Sequence, residues 1–126
     1  MDRQIWRHST AHIMAQAVYE LYPGTKLGIG PAIEEGFYYD FDLPSPISPE
    51  NLPEIEAKME EIIKANLPFE KQVMAKDEAR KFFQQRNEIY KVELLDEIKD
   101  EEVSLYQQGE FIDLCRGPHV ENTGVI

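Results

Sequence analysis

The sequence predicts an α+β fold in which helices pack on an antiparallel sheet. Three observations predict it: apolar residues recur at helical spacing in the first segment, they alternate with polar residues in the second, and the later segments return from helical to strand patterns. The 126 residues fit one domain of ordinary size, and a composition that is 42% hydrophobic can fill its core. We therefore expect a single domain, 1–126.

The first half is predicted as a helix, a hairpin and a second helix. Residues 5–21 place apolar side chains at helical spacing, and Tyr22, Pro23 and Gly24 end that helix. Residues 27–33 and 37–42 are predicted as strands joined by a glycine turn. In the second strand one face holds the apolar aromatic positions Phe37, Tyr39 and Phe41. A charged helix is predicted over 50–65, with a buried stripe made of Leu52, Ile55, Met59, Ile62 and Ile63.

The second half is predicted to return to the sheet. We expect a strand over 69–74, a helix over 77–85, a helix or a mixed element over 89–98, and a strand over 111–115. In the last strand Phe111, Asp113 and Cys115 share one face. The acidic run 96–102 is predicted to be a solvated face or loop.

Charge and cysteine content exclude several classes of protein. The formal net charge is −11, which argues against a general phosphate-binding surface. The acid is concentrated in residues 34–105, whereas residues 1–33 and 106–126 together are nearly neutral. There is no run of apolar residues long enough to span a membrane, and no apolar core of a signal peptide at the start of the chain. One cysteine suits a reducing cytoplasm.

The three histidines and the cysteine form two pairs with the same spacing. His8 and His12 lie one turn apart on the first predicted helix, and Cys115 and His119 flank a Gly-Pro turn that follows a strand. Three imidazoles and a thiol are the ligands of a tetrahedral zinc site. The alternatives are helix histidines that satisfy local hydrogen bonds and a buried, inert cysteine. Lys91 by itself is typical of a solvated charge.

Four sequence blocks resemble one family. They are HSTAHIMAQA at residues 8–17, KLGIGP at 26–31, GFYYDFD at 36–42 and DLCRGPHV at 113–120. In this order they resemble the second N-terminal domain of bacterial-type threonyl-tRNA synthetase, and they extend over nearly the whole chain. The resemblance implies the threonyl/alanyl-tRNA synthetase second-additional-domain fold. It also implies a fragment of a larger synthetase, without the catalytic and anticodon-binding domains.

In that family the domain is an editing hydrolase that removes serine from threonine tRNA. Serine lacks one methyl group of threonine, which is worth only about 1–3 kcal/mol of discrimination, so a second, smaller site is needed. The catalytic residues implied by the resemblance are Lys91, His8, His12, Asp113, Cys115 and His119, and those implied to bind the seryl-adenosine end are Gly30, Tyr39 and Tyr106. We expect Lys91 and His8 to handle the attacking water and the ribose hydroxyls, and Asp113 to anchor the amino group of the substrate.

Metal and partners follow from the same resemblance. Related alanyl-tRNA editing hydrolases hold zinc with the residues that correspond to His8, His12, Cys115 and His119, but the threonyl family edits without metal, so we expect no cofactor. The expected partners are the 3′-terminal seryl-adenosine of threonine tRNA and the rest of a homodimeric parent synthetase, with no membrane. Two alternatives stay open: a free-standing deacylase that acts in trans, and a zinc-stabilised tRNA-binding or structural module without catalysis.

Overall fold

The fold is α+β, as the sequence predicts. The computed structural model describes residues 3–28, 32–33 and 36–126. In chain order its helices and strands are α1 (Arg3–Leu21), β1 (Lys26–Leu27), β2 (Ala32–Ile33), β3 (Gly36–Phe37), β4 (Phe41–Asp42), α2 (Leu52–Ala65), β5 (Glu70–Ala75), α3 (Lys76–Gln85), α4 (Ile89–Glu97), β6 (Glu102–Gln108) and β7 (Phe111–Leu114). Short 3₁₀ turns cover Pro49–Asn51 and Thr123–Val125. No helix among the described residues is both long and apolar enough to cross a bilayer.

The three-stranded antiparallel sheet has the order β5–β6–β7. Strand β6 is the central strand, and it is not among the predicted strands because the acidic run 96–102 that leads into it is typical of a solvated loop. Its alternation is nevertheless present, since Val103 and Leu105 are buried against Ala79 and Phe83 of α3 and Leu95 of α4. The last residue of the acidic run, Glu102, begins strand β6, and residues 98–101 separate that strand from α4.

The predicted hairpin is divided into two small pairs. Strand β2 pairs with β3, as predicted, but β1 pairs with β4 across the outside of that hairpin. The predicted strand 37–42 is thus interrupted at residues 38–40, and the middle of the predicted strand 27–33 lies outside the described residues. The predicted alternation holds where it can be compared: Tyr39 is buried, whereas Tyr38 and Asp40 are exposed.

Helix α1 runs through the middle of the molecule, and small residues allow that position. Ala11, Ala15 and Ala17 are completely buried, so neighbouring elements approach its backbone closely. One side packs on α2 through Ile13 and Ala17 together with Ile55 and Ile62. Another side packs on Leu27, Tyr39 and Phe111 through Ala15. The histidine side of α1 therefore faces the end of β7.

One core assignment of the sequence analysis is wrong. Leu52, predicted to lie in the buried stripe of α2, is 57% exposed. It is the first residue of the helix, after a 3₁₀ turn, and so lies beyond the part of α2 that packs on α1. Ile55 and Ile62 are buried as predicted, and Met59 and Ile63 pack against the same cluster.

Candidate functional site

The two histidine and cysteine pairs lie together in the structure. The Cys115 Sγ atom lies 3.4 Å from His8 Nε2 and 3.3 Å from His119 Nε2. The His8 and His119 rings stack with centroids 4.2 Å apart, and the His12 ring lies 4.2 Å from that of His119. Helix α1 supplies two members of this four-residue cluster, and the turn after β7 supplies the other two. We call it the His–Cys cluster.

Backbone and side-chain contacts hold the His–Cys cluster in place. Ser9 Oγ accepts a hydrogen bond from Val120 N at 2.9 Å and lies 3.0 Å from His119 Nδ1. Gly117 N donates to Cys115 Sγ at 3.2 Å. The Phe69 ring stacks on His119 at 4.9 Å between centroids. The sequence analysis missed Ser9, although it lies between the two histidines and is completely buried.

A second group of polar residues is buried beside the cluster. The Lys91 Nζ atom lies 2.6 Å from Asp113 Oδ1, and Tyr39 OH donates to Asp113 Oδ2 at 2.6 Å. Lys91 and Asp113 are only 2% and 1% exposed. Lys91 is therefore not the solvated charge that its sequence context alone suggests. A lysine and a carboxylate removed from water in this way are held by each other and by the tyrosine.

His12 joins the two groups. Its Nε2 atom lies 3.5 Å from Asp113 Oδ2, while its ring contacts those of His8 and His119. The residues predicted from the family blocks on α1, on β7 and in the turn after β7 therefore converge on one place. Tyr106 also lies there, because its ring meets that of His119 edge-on at 4.6 Å. Gly30 lies outside the described residues, so its predicted role stays a prediction.

Burial keeps the His–Cys cluster uncharged at neutral pH. It lowers the pKa of His12 to about 4, against the opposing effect of Asp113, and lowers the pKa of His119 to about 2 with the help of the neighbouring imidazoles. The pKa of His8 is also lowered by burial. Burial raises the pKa of the Cys115 thiol to about 11. The cluster therefore consists of three neutral imidazoles and a thiol.

The charge of the site resides in Asp113 and Lys91 instead. Burial by itself raises the pKa of Asp113, but the positive charge of Lys91 and the nearby His12 outweigh it and hold that pKa below its usual range. Burial and the Asp113 carboxylate together raise the pKa of Tyr39 well above its usual value. The tyrosine is thus a hydrogen-bond donor, and the carboxylate is ionised.

The donor atoms of the His–Cys cluster fit a metal ion. One ligand atom from each of the four residues lies within 4.8 Å of the others. With zinc–nitrogen bonds of about 2.0–2.1 Å and a zinc–sulfur bond of about 2.3 Å, tetrahedral ligands lie roughly 3.3–3.6 Å apart. The Cys115 Sγ distances of 3.3 and 3.4 Å match that spacing. The same atoms also contact one another directly, so the expectation that editing needs no metal stays a prediction.

Glu88 is a further residue that the sequence analysis missed. It precedes α4 and is only 2% exposed, and its two carboxylate oxygens share the hydrogen bond that Leu27 N donates, at 3.1 and 3.2 Å. Burial raises its pKa to about 7, against the opposing effects of the Leu27 hydrogen bond and Lys91. Glu88 thereby connects β1 to the helix that carries Lys91. Its sequence context has no feature that distinguishes it from the many solvated glutamates of the chain.

Comparisons with known proteins agree with this arrangement. Residues 103–126 match the family described as the threonyl and alanyl tRNA synthetase second additional domain. The chain is 60% identical over 125 residues to a threonine–tRNA ligase of Dehalococcoides mccartyi, a match that covers 99% of this chain and 21% of the relative. It is 58% identical over 125 residues to the threonine–tRNA ligase of Carboxydothermus hydrogenoformans, covering 98% of this chain and 20% of that relative.

A third relative agrees with these two. The threonine–tRNA ligase of Rubrobacter xylanophilus is 57% identical over 120 residues, which cover 95% of this chain and 18% of the relative. The chain thus spans about a fifth of the length of the enzymes that it matches. The resemblance to the second N-terminal domain of bacterial-type threonyl-tRNA synthetase is therefore confirmed, and the chain corresponds to one segment of enzymes of that type.

Proposed function

We propose that this chain is an editing hydrolase domain that cleaves serine from mischarged threonine tRNA. One observation carries the proposal: a buried Lys91–Asp113 pair lies directly beside a cluster of neutral imidazoles, connected to it through His12. A domain that only bound tRNA, or was only stabilised by zinc, would not need that pair. In this proposal the domain acts in cis, in the cytoplasm, within a homodimeric parent synthetase.

The reaction requires one proton to be taken up and another to be delivered. Water attacks the acyl carbon of the seryl ester, and its proton passes to a general base. We assign that role to His8, because it is partly exposed and its lowered pKa leaves the imidazole free to accept a proton at neutral pH. The bond from the acyl carbon to the ribose oxygen then breaks, and that oxygen receives a proton. The products are serine and the free 3′ end.

Lys91 is assigned the role of a positive charge in this reaction rather than that of a base. Its Nζ atom lies 2.6 Å from the Asp113 carboxylate, in a buried ion pair. Such a group stabilises the negative charge that develops on the acyl oxygen and can deliver the proton to the ribose oxygen. Asp113 orients Lys91 and Tyr39, and its remaining lone pairs can accept the substrate ammonium group.

The other site residues shape the pocket around the seryl-adenosine. His12, Cys115 and His119 form an uncharged wall, and Tyr106 closes it against His119. Such a wall can exclude the additional methyl group of threonine by steric contact, because a packed interior does not yield easily to one more methyl group. We propose that Tyr39 and Tyr106 contact the seryl-adenosine end.

The proposal is tested by hydrolysis of seryl- and threonyl-tRNA with the 126-residue chain. We expect hydrolysis of the seryl ester well above that of the threonyl ester, and its loss in His8→Asn. Lys64→Ala, which removes a charge from the exposed side of α2, is the matched control and should retain full activity. Equal hydrolysis of both esters would contradict the sieve, and no hydrolysis of either would contradict the editing function.

The geometry of the His–Cys cluster favours a second candidate, a zinc-stabilised tRNA-binding module without catalysis. In that case zinc would copurify in stoichiometric amount and its removal would unfold the chain. Replacement of His8 would then abolish zinc binding, whereas replacement of Lys91 would not. Deacylation by a metal-free, folded chain would exclude this candidate.

A further inference from the structure

A cavity of about 580 Å³ opens beside the His–Cys cluster, where β7 leaves the sheet. Cys115 belongs to the cluster and also lines the cavity. Lys71, Val73, Glu102, Ser104 and Arg116 are among its other lining residues. Its volume lies in the range of about 300–1,000 Å³ that is usual for small-ligand sites. The reaction proposed above involves none of these five side chains.

The register of the sheet places part of the cavity lining on the same face as the site, while Val103 and Leu114 contribute from the opposite face. Tyr106 lies opposite Asp113 on β7 and opposite Lys71 on β5. Ser104, two residues from Tyr106, lies opposite Val73. Because directly opposed residues share a face and every second residue of a strand points the same way, these side chains line one surface.

This surface leads away from the cluster in one direction. Tyr106 contacts the His119 ring, Ser104 follows, and Ser104 Oγ donates to Cys115 O at 2.8 Å. Glu102 follows Ser104 on the same face and lines the cavity. The side chains of Tyr106, Ser104 and Glu102 therefore connect the His–Cys cluster to the cavity along β6.

The cavity lining offers two cations, three carboxylates and apolar side chains, which together can contact the parts of a nucleotide. Arg116 and Lys71 are exposed cations, and neither forms an ion pair within the part of the chain that the structure describes. Val73 offers an apolar surface that is 60% exposed. Glu102 supplies a carboxylate, with Glu97 and Asp100 from the end of α4 and the residues after it. Cations suit a phosphate, apolar carbon suits the face of a base, and carboxylates suit an exocyclic amine.

We propose that this cavity binds the nucleotide that precedes the terminal adenosine of the tRNA. Arg116, next to Cys115, contacts the phosphate between the two nucleotides, and Lys71 adds positive charge. The base lies against Val73, and the Glu102 carboxylate accepts a hydrogen bond from the exocyclic amine of the base. Since tRNAs end in cytidine–cytidine–adenosine, that base is cytosine, whose N4 amine is the group that carboxylates read. This inference rests on the proposed editing function.

The experiment compares three substrates: seryl-adenosine, an RNA minihelix that ends in cytidine–cytidine–adenosine with serine, and the same minihelix with uridine at the penultimate position. We expect Arg116→Ala to lower kcat/KM about tenfold on the cytidine minihelix, a typical loss for one contact of this kind, and to leave seryl-adenosine unchanged. The matched control Lys64→Ala should change neither. Equal effects of Arg116→Ala on both substrates, or no effect on either, would overturn the inference.

The uridine substrate tests the reading of the base. Uracil carries an acceptor where cytosine carries the amine, so we expect the unmodified chain to prefer the cytidine minihelix by about tenfold. Glu102→Ala should lose most of that preference. Equal hydrolysis of the two minihelices by the unmodified chain would overturn the assignment of the amine.

Direct binding separates this inference from the editing function. If the chain hydrolyses none of the three substrates, the editing function fails, but the cavity can still be tested with the dinucleotides cytidylyl-adenosine and uridylyl-adenosine. Tighter binding of the first, weakened by Arg116→Ala and by Glu102→Ala, would support the cavity as a nucleotide subsite. Equal binding of the two, unaffected by either substitution, would overturn it. Melting temperatures of all variants should match that of the unmodified chain, because the three substituted side chains are at the surface.

Discussion

Substitution of Lys91 by methionine tests the buried ion pair that distinguishes this site from a simple metal site. The change retains an unbranched side chain that is one atom shorter, and it removes the ammonium group that lies 2.6 Å from Asp113. The carboxylate that is left is 1% exposed. Loss of one partner of a buried pair typically lowers the free energy of unfolding by about 3–5 kcal/mol. Because Tyr39 still donates to the carboxylate, we expect a value near the lower end, about 3 kcal/mol.

This magnitude changes how activity data must be interpreted. The sequence alone suggests that the ammonium can be removed without effect on folding, but about 3 kcal/mol is a large part of the 5–15 kcal/mol of a typical domain. The double variant Lys91→Met/Asp113→Asn separates the two effects. Its neutral amide retains an acceptor for Tyr39 and needs no cation, so we expect it to regain about 2 kcal/mol of the loss. Both variants should be inactive in deacylation.

The assay is urea unfolding at pH 7, followed by circular dichroism, together with deacylation of seryl-tRNA under the same conditions. A loss below about 1 kcal/mol in Lys91→Met would refute the inference that the pair is buried and mutually dependent. So would a double variant as unstable as the single one. A stable double variant that retains activity would show instead that the pair supports only the fold.

Three other predictions concern metal, pH and the turn after β7. Deacylation should survive a chelator, and protein prepared without metal affinity resin should contain substoichiometric zinc; a stoichiometric ion would contradict this. The pKa of Glu88 rises from 4.5 to about 7 on folding, so the free energy of unfolding should fall by roughly 3 kcal/mol as pH increases through that interval. Urea unfolding at pH 4.5 and at pH 8 measures this fall, which should be smaller in Glu88→Gln. Gly117→Ala should greatly reduce deacylation, because φ is +76° there and an added Cβ would overlap Tyr106. In the control Gly36→Ala the added Cβ meets no atom within 4 Å, so this variant should change little. Equal effects of the two substitutions would contradict the role of the turn after β7.

The elements with a clear period were predictable from the sequence alone. Helix α1 and strand β7 follow from local spacing, and so does the placement of His8 and His12 on one face. The turn that aims Cys115 and His119 at the same place follows from its glycine and proline. These features depend on residues within one or two turns of each other, so the sequence contains the information directly.

Features that depend on long-range packing were not predictable in the same way. Strand β6 was not predictable because it directly follows an acidic run that is typical of a loop. It becomes a central strand only by pairing with β5 on one side and β7 on the other. Leu52 is exposed because α2 meets α1 only beyond its first turn. Glu88 differs from a solvated glutamate only through the backbone of Leu27, 61 residues away.

The α+β class, the two histidine and cysteine pairs, and the family that the four blocks resemble could be recognised from the sequence. The buried position of Lys91, its contact with Asp113 beside Tyr39, and the link through His12 to the His–Cys cluster arise from packing between distant elements. The physical reason is desolvation. The sequence shows a lysine and an aspartate in the same way whether they lie in water or in a core. Their strong mutual dependence arises only when elements distant in sequence exclude water from both.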